Sequence, residues 1–317
     1  MSDVPRQIRT MAELMLRGRF ALLRDRALIA ARRLRLRRQG SQPFIYRREG
    51  HREVCHPDWH LSREHYCHVG REDALEFMLL RCWLQPGDAF LDLGANLGAF
   101  SFAALRSVGR TGRIVALDAD PFACGKLRSA FALLGSDSSR CLHAALMDRP
   151  GEATFHVSVD GARSDIQSLR PDASARAKGM RPVAVPAVTL SGVSDAELRG
   201  MPPAMVKLDI EGAEQMALSA CPVAWLGPNG PMWLVELNPS CLAEFGATPA
   251  DVAGLFAGGF DRWLVPKYPR RGAAGIRRLS GDEGFSDALF YNMVALPCAA
   301  GQRRPAEDIR RMLGTRS

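Results

Sequence analysis

From Gln85 onward, apolar runs of strand length alternate with segments of helix length, and this alternation restricts the chain to few architectures. GDAFLDLGA reads as a strand after a Pro-Gly turn, NLGAFSFAALRSVG as a helix and GRIVALDAD as a second strand. Asp120 before Pro121 gives an N-cap and a first-turn proline to the helix FACGKLRSAFALLG. Phe122, Leu127, Phe131 and Leu134 keep a helical apolar face on it. RCLHAAL is a third strand, AMVKLDI a fourth, GAEQMALSAC a helix, PMWLVEL a strand and TPADVAGLFAGG a capped helix. RWLVP and ALFYNMVALP close the pattern as two late strands. Such alternation predicts an α/β fold with a mostly parallel sheet and helices on both faces. Between the third and fourth strands, GEATFHVSV and PVAVPAVTL flank a polar loop, which predicts a β-hairpin insertion.

The net charge of +8 is not spread over this pattern. Residues 1–40 hold eleven Arg, no Lys and three acids, so the remaining thirty-one bases and thirty-one acids cancel. The basic pI therefore belongs to the leader, and the main domain shows no electrostatic footprint for nucleic acid. Ile8, Met11, Met15, Leu22 and Ile29 stand at helical spacing, so residues 1–40 read as a basic amphipathic helix fit for an anionic membrane or a partner protein. No apolar run of spanning length and no secretory leader is present. The expected address is cytoplasmic, with the inner face of the membrane as a peripheral one. Eight scattered cysteines without CxxC pairs read as reduced core residues. Residues 41–70 form a polar lid or linker, 71–298 the main domain and 299–317 a C-terminal tail helix.

LDLGANLGAF puts Asp92, Gly94, Asn96 and Gly98 where the first strand turns into its helix. Glycines there let a ligand approach the backbone, and the helix start offers free N–H groups. The GxGxxG of dinucleotide folds is not met, and the Asp92 carboxylate would repel a phosphate but suit an ammonium group. Asp118, at the tip of the second strand, stands where a carboxylate accepts the hydrogen bonds of a ribose diol. An ammonium at one end and a ribose at the other describe S-adenosylmethionine. His143 to Met147, with Ala145 at their centre, line the side where its adenine is expected.

FLDLGANLGAFSF, VALDADP, HAALMDRPGEATF, VTL, MVKLDIEGAEQMAL and LVELNP, in this order, resemble the FkbM-type S-adenosylmethionine-dependent methyltransferases over residues 66–297. The resemblance implies a Rossmann-like class I methyltransferase fold, with a seven-stranded sheet whose last strand is antiparallel. It also implies O-methylation of a hydroxyl on a sugar, glycan or other natural product. YCHVGREDALEF resembles the segment before the first strand and places Glu72 near the cofactor. Two departures stand out: Asp118 where Glu is usual, and Ser191-Gly192 where an acid pair is common.

The fourth strand ends in three carboxylates, Asp209, Glu211 and Glu214. A buried acid needs a positive neighbour or a proton to take; a sulfonium supplies the first and a hydroxyl acceptor the second. Asp209 is read as organising the cofactor side and Glu211 as the general base. Glu214 is read either at the substrate mouth or as a cap on nearby N–H groups. Glu236 lies on the acceptor side, and Asp209, Glu236 and Asn238 could alternatively hold a divalent metal. His51, His56, His60, His65 and His68 cluster in HREVCHPDWHLSREHYCH without a tetrahedral zinc spacing. His65 and His68 are expected to touch substrate from the lid, and either is a rival base.

Two other classes compete. A nucleic-acid methyltransferase of the base-flipping kind would carry an Asn/Asp-Pro-Pro-aromatic motif at the fourth tip, where this chain has Asp-Ile-Glu-Gly. A membrane- or partner-binding protein on an inactive scaffold would need no acids at the strand tips.

Overall fold

The computed structural model describes residues 20–68, 74–158, 169, 179–199, 202–267, 275–281, 285, 290–299 and 305–314. The chain divides into two compact units. The smaller comprises residues 1–44 and 55–71, the larger residues 45–54 and 72–317.

In the smaller unit, α1 (Phe20–Gln39) is held against a second helix by its arginines. Arg32 donates to the carbonyls of Tyr66 and His68 at 2.8 and 2.9 Å, at the electronegative end of that helix. Arg35 lies over the Phe44 ring. The exposed leucines of α1, Leu22, Leu28 and Leu34, are six residues apart, a spacing that turns each about 120° from the last. The described part of the leader therefore carries no single apolar stripe, and the amphipathic expectation fails there. The leader's earlier residues lie outside the described ones.

Two strands, β1 (Phe44–Arg48) and β2 (His51–Cys55), form a hairpin, and α2 (His60–Cys67) follows it. The larger unit then runs through α3 (Ala74–Trp83), β3 (Ala89–Leu93), α4 (Ala99–Val108), β4 (Arg113–Asp118), α5 (Pro121–Leu134) and β5 (Ser139–His143). Next come β6 (Ala145–Leu146), β7 (Gly151–Ser158), β8 (Met180–Val188) and the short α6 (Leu190–Val193). The remainder is β9 (Met205–Leu208), α7 (Glu214–Ser219), β10 (Met232–Leu237), α8 (Pro239–Glu244), α9 (Pro249–Gly254), β11 (Phe260–Pro266), β12 (Arg277–Leu279), β13 (Tyr291–Pro297) and α10 (Pro305–Gly314).

The main sheet has the order β12-β11-β13-β10-β9-β3-β4-β5. From β5 to β10 every pair is parallel, whereas β13 is antiparallel to both β10 and β11. Without β12, the strands counted in chain order read 3-2-1-4-5-7-6 with the seventh reversed. This is the class I methyltransferase arrangement. The expected seven strands are eight here, because the three-residue β12 adds an antiparallel edge beside β11.

Strands buried on both faces explain the continuous apolar runs. Phe90 and Ile114 face one core with Trp83, Phe102, Leu127, Ile309 and Leu313. Their neighbours Leu91 and Val115 face the other with Leu190, Leu218, Leu242 and Phe256. Ile309 and Leu313 come from α10, so the expected tail helix is part of the larger unit's core. Asp120 caps α5 by accepting from Phe122 N at 2.9 Å, as its Asp-Pro signature predicts.

The insertion is a separate three-stranded sheet. β7 pairs antiparallel with β8, and β6 pairs parallel with β8. Most of the polar loop between β7 and β8 lies outside the described residues. All eight cysteines are free; Cys55, Cys124 and Cys141 are buried, while Cys82 and Cys298 are exposed. Among the described residues, no helix is long and apolar enough to cross a membrane.

Candidate active site

The chain passes from β3 outward through β4 to β5, then returns to add β9 and β10 on the other side of β3. That reversal opens a crevice beyond the carboxyl ends of β3 and β9. The β3–α4 turn lines it with three residues in left-handed backbone conformations, Gly94 (φ 78°), Asn96 (φ 46°) and Gly98 (φ 82°). At Gly94 a Cβ would overlap the carbonyl oxygen of Asp209, so only glycine lets the turn lie against the β9 tip. Asn96 N–H donates to Asp118 Oδ2 at 2.7 Å and thereby ties the turn to the β4 tip.

Beneath the turn lies a buried cation that the sequence reading missed. Lys207 on β9 places Nζ 3.2 Å from Asp209 Oδ2, 3.8 Å from Asp92 Oδ1 and 3.1 Å from the Gly94 carbonyl. Asp92 and Lys207 are direct partners in the β3–β9 register, which puts both side chains on one face of the sheet. A lysine inside the otherwise apolar run AMVKL was the available signal, since such a residue must find an acid. The charge of the fourth-strand acids is thus answered first from within the protein. Burial would lower Lys207, but Asp209 and Asp92 outweigh it and hold the ammonium above its usual range. Burial would likewise raise Asp209, and Lys207 with Lys267 keeps it below the usual carboxylate range.

The remaining acids divide by surroundings. Asp92 is 0% exposed, and its Oδ2 accepts from Ser101 N and Oγ at 3.0 and 2.6 Å. Its bonds run to α4 and Lys207 rather than outward, and burial raises its pKa against those partners. Asp118 is half-buried at the β4 tip and accepts from Asp120 N and Asn96 N. Burial pushes it up to about 6, against the pull of those two amides. Glu211 stands in a left-handed conformation (φ 54°) with Cys241 Sγ 3.5 Å from its Oε2. Burial, then the charges of Asp209 and Glu236, raise Glu211 to about 8. Glu236 on β10 forms an ion pair with Lys267.

Glu214 does not line a mouth. It is 2% exposed, and its Oε1 accepts from Ile210 N at 2.9 Å and Gly212 N at 3.2 Å, which fixes the β9–α7 turn. The capping alternative describes it. Asn238 Oδ1 likewise caps α8 through the N–H groups of Ser240 and Cys241. In the alternative metal set Asp209, Glu236 and Asn238, one oxygen of each acid is paired to a lysine and the Asn238 amide oxygen caps α8. Among the described residues, no group of three or more His, Cys, Asp or Glu is placed to hold a metal ion. Ala145 sits in β6 with its side chain in the small sheet's own core, beside Phe155 and Val185, while His143 and Met147 remain half-buried. Glu72 lies outside the described residues. His65 and His68 belong to the smaller unit, and His51 belongs to the larger, bonded to Glu53 at 2.8 Å.

Residues 92–236 match the family model of the methyltransferase FkbM domain. Over that stretch the chain resembles the FkbM methyltransferases. The match starts at Asp92 and ends at Glu236, the outermost acids of the crevice in chain order. No curated protein matches the chain by sequence. Among solved structures, it is similar to a methyltransferase FkbM from Methylobacillus flagellatus KT, at 10% identity and TM-score 0.39, over 74% of this chain and 54% of that one. A SAM-dependent O-methyltransferase from Thermotoga maritima has 12% identity and TM-score 0.37 over 72% and 65%. M. jannaschii TYW2 in complex with AdoMet has 8% identity and TM-score 0.39 over 81% and 86%.

Proposed function

We propose that the chain is an S-adenosylmethionine-dependent methyltransferase that methylates a hydroxyl oxygen on a sugar, glycan or other natural product. The observation that carries this reading is the gathering of Asp118, Asp209, Glu211 and Glu236 at the strand tips beside the left-handed turn that leads into α4. One buried oxygen of that turn, Asn96 Oδ1, makes no hydrogen bond, while Asp92 Oδ1 has the Lys207 ammonium at 3.8 Å. Such a cradle, with more carboxylates than its two lysines neutralise, fits a cation-bearing ligand with an amine and a sugar diol. When bound, the cofactor supplies a methyl group activated by a sulfonium.

The chain's residues do the rest. Asp118 receives the ribose hydroxyls on the lone pairs that its backbone donors leave open. Asp92 lies beneath the turn, so its part is to add negative charge there and to fix the first turn of α4 through Ser101. Asp209, kept ionised by Lys207, faces the positive centre. Glu211 takes the acceptor's hydroxyl proton as its oxygen is alkylated. Its raised pKa makes it a stronger base once ionised, and a bound cation favours the ionised form. General-base help of this kind contributes about 10²–10⁴-fold, whereas alignment contributes effective molarities of about 10⁵–10⁸ M. Holding the reacting atoms in line is therefore the larger contribution.

Calorimetric titration with S-adenosylmethionine, followed by a screen of hydroxylated acceptors with a radiolabelled methyl donor, tests the reading. Saturable binding that weakens in Asp118→Asn supports it. Absence of both heat and transfer rejects it.

A further inference from the structure

The larger unit has a second concavity, at the end of the sheet opposite the strand tips. Its walls are the C-terminal end of α4, the α4–β4 turn, the α5–β5 turn and the β1–β2 hairpin. In parallel α/β sheets these helix-to-strand turns lie at the amino ends of the strands, away from the crevice that holds the acids. The ten residues of α4, about 15 Å of helix, separate the two. The cavity measures about 670 Å³, within the size range of small-molecule sites.

Its lining is basic and has an apolar floor. Arg47, Arg52, Arg106 and Arg110 border it against a single acid, Asp137. Among the described residues, Arg47, Arg52 and Arg110 enter no ion pair. Arg106 donates to the Gly50 carbonyl at 2.7 Å, which braces the hairpin against α4. Guanidinium groups around one cavity repel one another, and among the described lining residues Asp137 alone offsets that charge. Phe102, Leu105 and Leu134 contribute the apolar surface. His51 also lines the cavity; it is 2% exposed, its Nε2 bonds Glu53, and its Nδ1 has no hydrogen-bond partner.

We propose that this cavity binds an organic phosphate. The planar forks of the arginines match phosphate oxygens, and they remain charged throughout the physiological pH range. Phe102, Leu105 and Leu134 receive the apolar or aromatic body that carries the phosphate. The ligand's source is a free phosphorylated small molecule or the headgroup of an anionic lipid. The site is independent of the methyl-transfer reading, since it shares none of the strand-tip acids.

The test titrates the full-length protein with 1-naphthyl phosphate, with 1-naphthol and inorganic phosphate as comparators. Naphthyl phosphate is expected to bind more tightly than inorganic phosphate, and naphthol to give no saturable heat. The double variant Arg47→Gln/Arg110→Gln, both exposed positions, is expected to weaken that binding by about tenfold or more, with an unchanged melting temperature and unchanged S-adenosylmethionine titration. Equal binding of naphthol, equal binding by the double variant, or no binding of naphthyl phosphate overturns the proposal. Sedimentation with phosphatidylcholine vesicles containing phosphatidic acid separates the sources. Co-sedimentation lost in the double variant assigns the headgroup, and failure to co-sediment, with naphthyl phosphate binding intact, assigns the free phosphate.

Discussion

Lys207 and Asp92 face each other across neighbouring parallel strands, with Nζ 3.8 Å from Oδ1 and both side chains almost wholly buried. The same ammonium serves Asp209 at 3.2 Å, so one cation holds two acids at the base of the crevice.

Lys207→Met leaves Asp92 buried without a counter-charge and Asp209 with Lys267 alone. Breaking a buried pair in this way costs about 3–5 kcal/mol. Asp92, which burial already raises, then lies further above its ordinary 3.8, so the deficit is present at neutral pH and shrinks as pH falls and the carboxylate takes up a proton. Urea unfolding at pH 7 and pH 5 is expected to show the larger loss at pH 7. Equal losses at both pH values would place the cost in packing rather than charge.

Gly94→Ala and Gly246→Ala separate conformation from collision. Both glycines have positive φ, 78° and 74°. A Cβ at Gly246 meets nothing within 4 Å, so only the left-handed conformation costs, about 1–2 kcal/mol. At Gly94 the new methyl meets the Asp209 backbone, and the turn must leave the β9 tip. Thermal melts are expected to fall further for Gly94→Ala, and only that variant is expected to lose S-adenosylmethionine affinity. Matching melts would show that the turn moves freely.

The fold was legible because period and punctuation agree: continuous buried strands, Asp-Pro caps and glycine turns each act locally. The acids at the tips were legible for the same reason, as each ends its own strand. Lys207 was not, because its meaning depends on the register that brings β9 beside β3, and no local pattern carries register. Lys267 escaped in the same way, since its partner Glu236 lies thirty-one positions earlier on another strand. β12 is too short to leave a periodic trace. Glu214 was read two ways, and the N–H groups of Ile210 and Gly212 decide between them only in three dimensions.

Stability should decline as pH rises from about 4.5 towards 8 in the ligand-free protein. Asp118, Glu214 and Glu211 have folded pKa values of about 6, about 7 and about 8, all above the ordinary 3.8 or 4.5. A carboxyl raised by folding contributes stability below its unfolded pKa and loses it as pH climbs through the folded one. Asp209 and Asp261 act oppositely, since their lowered values contribute stability that disappears only as pH falls below about 4. Chemical denaturation across this range is expected to show greatest stability near pH 4.5. Glu211→Gln is expected to stabilise the protein at pH 8 by about 1 kcal/mol or more and to change little at pH 5. A profile that rises through pH 8 would contradict the assignment.

Glu211 and Glu214 are three residues apart, yet their amide variants should behave in opposite ways. Glu214 uses one oxygen to accept two backbone N–H groups, while its other oxygen has no hydrogen-bond partner. Glutamine keeps the accepting oxygen, so Glu214→Gln should retain fold, cofactor affinity and turnover. Glu214→Ala leaves two buried amides unsatisfied at about 1–3 kcal/mol each and should loosen the β9–α7 turn. Glu211→Gln removes the proton acceptor instead, so kcat should fall about 10²–10⁴-fold with S-adenosylmethionine affinity retained. Steady-state kinetics beside calorimetry on the three variants reads all of these outcomes. Full turnover in Glu211→Gln, or its collapse in Glu214→Gln, would move the base away from Glu211.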